Sequence, residues 1–162
     1  MKKLIITYGL IGGVVCSVLG ILNWFLIAPY SGPGLSQFIG YLAVVLSLVC
    51  VPLAIIYFRN KQNQGLVTFG QGFKIGLGVT VITAFIVGLY SYLFFVFAGE
   101  SFDQWRTEGL SDRELQAMQT KMDQMPAFTQ SHWFLGLILF INVCLIGLVI
   151  SILSSLLLKR TK

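Results

Sequence analysis

The sequence predicts an all-α, polytopic membrane protein: a four-helix transmembrane bundle with one amphipathic helix in an outer loop. Three observations carry this. The chain of 162 residues is 56% hydrophobic and only 10% charged, where soluble proteins average about 25% charged. Four apolar runs, at residues 4–27, 38–58, 75–98 and 133–158, each reach the ~20 residues a bilayer crossing needs. The charges then sort by side. Of eleven Lys and Arg, eight (Lys2, Lys3, Arg59, Lys61, Lys74, Lys159, Arg160, Lys162) fall on one side of four spans. Arg106, Arg113 and Lys121 fall on the other, with all six acids. The positive-inside rule places both termini in the cytoplasm and residues 99–132 outside. Residues 1–162 form a single membrane domain.

The first span follows Met1-Lys2-Lys3 and imitates a signal peptide. Its apolar run exceeds the ~7–15 residues of a signal core and lacks a small-x-small end, so it is expected to be retained. Gly9, Gly13 and Ser17 fall four apart, with Gly12, Cys16 and Gly20 as a second small row. Trp24 lies near the far end, where amphipathic rings prefer the headgroups. Residues 28–36, with Pro29, Gly32, Pro33 and Gly34, read as a turn. Pro52 lies inside the second span and removes a backbone donor, so a kink is expected there.

The third span opens with Thr68-Phe69-Gly70-Gln71-Gly72-Phe73-Lys74. Gly72, Gly76, Thr80, Ala84 and Gly88 then recur every fourth residue, a nearly straight stripe of small side chains on a helix. In lipid, close backbone approach is what holds helices together. The stripe is expected to face the Gly9/Gly13/Ser17 side of the first span. Thr7-Tyr8-Gly9 and Thr68-Phe69-Gly70 hint at a repeat of two hairpins. In the outer segment, Ser111-Asp112-Arg113-Glu114 is a capping-box signature. Leu115, Met118, Met122 and Met125 follow at helical spacing, predicting a helix over 112–125 that ends before Pro126. The fourth span carries a further small row, Gly147, Ser151 and Ser155, and one polar residue at depth, Asn142, expected to bond across a helix interface.

The Lys-led first span, the T-F-G-Q-G-F-K-I-G approach to the third, the acidic outer segment and the basic tail together resemble a bacterial membrane family. It is catalogued as domain-of-unknown-function family 4199. Thr68, Phe69, Gln71, Gly72, Phe73, Lys74 and Gly76 carry the likeness. The resemblance implies four spans in the inner membrane and brings no activity with it.

The chemistry-bearing residues are sparse. Cys16, Cys50 and Cys144 lie singly in apolar runs, form no C-x-x-C, and read as packed small residues. No span holds an ionisable residue at depth, which speaks against ion-coupled transport. His132 stands alone at the outer edge, so paired axial haem ligation is excluded. The outer acids lack cation-loop spacing. The glycine-rich approach lacks the G-K-[ST] of a phosphate loop. No catalytic, cofactor or metal site is expected. Arg59, Lys61 and Lys74 are candidates for an anionic lipid headgroup. With no basic stripe, nucleic acid is not an expected partner. The expected function is a non-enzymatic accessory or scaffold protein of the cytoplasmic membrane, its partners the lipid bilayer and a membrane protein or a second copy. The alternative is a small transporter or channel-like protein with an uncharged pathway. A polar, water-filled cavity would favour the alternative; a dry bundle would favour the scaffold.

Overall fold

The structure is a computed structural model that describes residues 1–108 and 110–161, with the backbone alone for Pro33 and Gln130. Lys162 of the basic tail and Gly109 of the outer segment lie outside the described residues. Four helical paths are long and apolar enough to cross a bilayer: Lys2–Tyr30, Gly34–Gln62, Phe69–Thr107 and His132–Leu158. Large apolar side chains cover their exterior, among them Val14, Phe85, Leu145 and Leu157. In water such a surface would aggregate; in lipid it is the solvated face.

The first path is α1 (Lys2–Leu22), continued by a π-helical turn, Asn23–Ile27, and a 3-10 turn, Ala28–Tyr30. The second is broken. α2 (Pro33–Ser47) and α3 (Cys50–Tyr57) meet at Leu48–Val49, and a π-helical turn, Phe58–Gln62, closes the path. Pro52 explains the break. Its missing amide would have bonded the Leu48 carbonyl, and the Val51 amide takes that carbonyl instead at 2.9 Å. The tighter turn re-aims the chain. The break therefore falls four residues before the proline, mid-path, and not at Pro52 itself, where the kink was expected.

α4 (Phe69–Thr107) has 39 residues, roughly 58 Å at the α-helical rise, against the expected 75–98. Two causes extend it. Thr68 and Gln71 form a capping box: the Gln71 amide donates to Thr68 Oγ1 at 3.3 Å and the Thr68 amide to Gln71 Oε1 at 3.1 Å. At the other end Phe94, Phe102 and Trp105 pack around Trp24 of the first path. Trp105 Nε1 also donates to the Ala28 carbonyl at 2.8 Å. That aromatic cluster holds the helix together past the end of its apolar run.

α5 (Asp112–Asp123) is the amphipathic helix between the third and fourth paths, two residues shorter than expected. Leu115, Met118 and Met122 are half-buried, while Met125 is exposed. α6 (His132–Leu158) is the last path.

α4 is the axis of the bundle, with α6 along one face and α1 along another. α3 touches α1, α4 and α6, whereas α2 packs chiefly on α1 and the turn after it. Leu48, Val51, Ile55, Ile75 and Val79 are fully buried in the half that holds α3. At that end Val67 and Arg160 exchange two backbone hydrogen bonds of 2.9 Å each. Arg59 Nη1 donates to the Leu158 carbonyl at 3.5 Å, placing a cation at the C-terminus of α6, where the helix dipole favours it.

Candidate functional site

Two seams hold the bundle, and they differ from the expected pairing. The stripe on α4 faces α6, not α1. A Cβ added at Gly72 would meet Ser155, and one at Gly76 would meet Ser151 Oγ at 2.8 Å. Thr80 sits against Gly147, and its hydroxyl lies 3.4 Å from that of Ser151. Gly88 abuts Gly136 and Phe140. Ala84 is fully buried within the same stripe. Each step of four along α4 is matched by a step back along α6, so two antiparallel small rows meet. The first span's glycines take the opposite arrangement. Gly9 and Gly13 are notches for Ile82 and Ile86, each with Cβ 2.6 Å from the added atom. Ser17 bonds back to the Gly13 carbonyl at 2.9 Å. At Gly12 the approach is closest to Thr83 Oγ1 and the Ser47 carbonyl, and Thr83 donates to the Gly9 carbonyl at 3.1 Å. Small rows meet where both helices offer hydroxyls, and large side chains fill the notches where only one is small.

The break in the second path opens the other half of the bundle. α3 closes one half, but α2 leans on α1 and leaves space between itself, α4 and α6. This cleft has a volume of about 490 Å³. Its innermost lining residues are Cys16, Val44, Val87 and Ile146, one from each path. Beyond them comes the fully buried layer of Leu48, Val51 and Val79, so the cleft is blind. Tyr90, Phe94, Phe95, Phe102 and Trp105 make much of its wall.

The polar groups in it are few and distinctive. Ser91 is 2% exposed and its Oγ has no partner. Ser36 accepts from Asn23 Nδ2 at 3.1 Å, while Asn23 Oδ1 is buried and unpartnered. Asn142 donates to the Ile138 carbonyl of its own helix at 3.1 Å, not across an interface, and borders the cleft. At the mouth stands Arg106. Its Nη2 pairs with Asp103 Oδ1 at 2.9 Å, its guanidinium lies 5.9 Å from the Phe102 ring centroid, and its Nε is buried without an acceptor.

The remaining expected sites are dispersed. Of the lipid candidates, Arg59 caps α6, while Lys61 and Lys74 are exposed. Cys16 and Cys50 are buried, Cys144 is half-buried, and all three are free thiols. His132 begins α6 beside Gly99 of α4. Among the described residues no group of three His, Cys, Asp or Glu is placed to hold a metal. On α5, Ser111 donates from its amide and hydroxyl to Glu114 Oε2 at 2.9 and 2.7 Å, which pulls the carboxyl below its ordinary pKa.

Sequence reasoning missed the cleft and its residues Ser91, Phe102, Trp105 and Arg106. One signal was present: Val87, Ser91, Phe94, Phe95, Phe102, Trp105 and Arg106 keep helical spacing past the end of the apolar run. A third span bounded at residue 98 leaves Arg106 beyond its end, whereas α4 runs to Thr107.

The described residues thus form a helical bundle in which four helices are long and apolar enough to cross a membrane, around an aromatic-walled cleft. The chain belongs to the family described as "Protein of unknown function (DUF4199)", whose family model matches residues 7–160. No curated protein and no solved structure matches it.

Proposed function

We propose that the protein is a non-enzymatic accessory protein of the bacterial cytoplasmic membrane that holds a hydrophobic guest in its cleft. Both termini are cytoplasmic in this reading, and the cleft opens in the outer half. The charge asymmetry, eight basic residues against three, supports that orientation. The observation that carries the function is that the cleft is blind. A channel needs a path through both halves at once, and the path from Val44 and Val87 runs into fully buried Leu48, Val51 and Val79. The walls suit an apolar guest, since a site of this size lined by aromatics with a few polar groups is typical of small-molecule pockets.

Thiol accessibility tests the reading. Single cysteines are placed in a background lacking the native three. Gln119 and the cleft-mouth position Gln37 should react with an impermeant reagent in intact cells, and Gln64 should react only after the membrane is opened. Val51 and Val79 should react from neither side. Labelling of Val51 or Val79 from either face would show a continuous pathway and favour the small-transporter alternative.

A further inference from the structure

We propose that the guest is one anionic phospholipid of the outer leaflet, its phosphate on Arg106 and an acyl chain laid between α2 and α6. This rests on the blind-cleft reading and names what fills it. The first argument is depth. Val87, at the floor, is near the middle of α4's apolar run, residues 75–98. The Arg106 guanidinium folds back over Phe102, which lies roughly 6 Å past the end of that run at the helical rise. The cleft thus extends from the bilayer midplane into the headgroup layer, about 5–8 Å thick on each side. That is the length of one leaflet.

The second argument is charge. Among the described residues lining the cleft Arg106 is the one cation, and none is a carboxylate. Asp103 engages Nη2 and is itself 64% exposed, while Nε is buried and has no acceptor among the described residues. A buried guanidinium N–H without an acceptor is costly. A phosphate oxygen supplies one with a charge-assisted bond, and the planar guanidinium suits phosphate. The exposed acids Glu100 and Asp103 of α4, and Glu108 just after it, are absent from the lining. The third argument is access. α2 leaves α4 and α6, so a chain enters sideways from the leaflet without leaving lipid.

The test uses the full chain in nanodiscs and phosphatidylglycerol carrying a diazirine in one acyl chain. Crosslinks should concentrate on cleft peptides containing Tyr41 and Leu139. Unlabelled phosphatidylglycerol should compete about tenfold better than phosphatidylcholine, a difference of ~1.4 kcal/mol. Arg106→Gln should abolish that preference and Arg106→Lys should keep most of it. Asp103→Ala, by removing the acceptor of Nη2, should sharpen it. Gly40→Leu is the filling variant: Gly40 lines the cleft and an added Cβ meets nothing within 4 Å, so the variant should fold and lose the cleft crosslinks. Equal competition by the two lipids, or a preference that survives Arg106→Gln, overturns the phosphate assignment while leaving the cleft. Cleft labelling that survives Gly40→Leu overturns both.

Discussion

The two halves of this bundle are built on different rules. In the half holding α3, four helices touch, with glycines, serines and threonines meeting along α4 and α6 and fully buried aliphatic side chains such as Leu48, Val51 and Ile75 beside them. In the half holding α2, one helix leans away and bulky aromatics line the space it leaves. The same proline separates them. By shifting the hydrogen bonding at Leu48 it lets α3 close on α4 and α6 while sending α2 toward α1. The seam of small residues between α4 and α6 runs on through Gly88 and Gly136, and the cleft opens beside it, where the break carries α2 away. Stability and ligand capacity are thereby assigned to different ends of one domain.

The largest expected effect comes from adding bulk to each half. Gly147 faces Thr80 with no room for a Cβ, and Gly76 meets Ser151 and Val51 within 3.1 Å. Leucine at either position should cost about 3 kcal/mol, the upper end of ordinary overpacking. Gly40→Leu should cost little, as should Val81→Leu at an exposed position. Resistance to unfolding in detergent ranks them. Equal losses at Gly40 and Gly147 would mean that both halves are close-packed and that no cleft exists.

Much of the dense half was legible. The four-residue spacing from Gly72 to Gly88 announced a seam, and Ser111/Glu114 announced α5. The partner of the seam was not legible, because the first and last spans both offered small rows. The choice turns on what each row carries. α6 brings hydroxyls, Ser151 and Ser155, that meet Gly76, Thr80 and Gly72, whereas α1 brings bare glycines that suit isoleucine. The length of α4 was missed for a different reason. Apolarity ends near Ala98, but the helix is continued by aromatic packing on Trp24, a tertiary effect. The cap at Thr68/Gln71 was readable as T-x-x-Q and went unread beside the glycines. The cleft itself follows from where the chain goes after Leu48, which no local pattern encodes.

The two capping boxes sharpen the contrast at a smaller scale. Thr68 caps a helix whose next turns are buried, so Thr68→Ala should cost about 1 kcal/mol while α4 survives. Loss of hydrogen-exchange protection should stay within its first turn. Fraying that reaches Val79 would show that the cap, and not the seam, sustains the half that holds α3.

α5 has no buried residue, so it leans on its cap. The Glu114 carboxylate, with its pKa lowered by the Ser111 hydroxyl and amide, contributes stability that is present above its unfolded pKa. That contribution is lost as pH falls through the lowered folded value. The amide signals of α5 should therefore shift toward coil on acidification, with α4 unchanged. The shift should be small, since the group is fully exposed, and Glu114→Gln should remove most of it. An α5 indifferent to acid would mean that packing against the bundle holds it.

The most direct measurement is a pair of distances in lipid. Spin labels at Leu42 and Ile138 report the gap between α2 and α6, and labels at Leu53 and Leu153 report the gap between α3 and α6. All four positions are exposed. Pro52→Ala restores the missing amide and should straighten the path, so the Leu42–Ile138 distance shortens while the Leu53–Leu153 distance holds. If the outer distance is unchanged, or if both change together, the proline does not divide the bundle into a packed half and a receptive one.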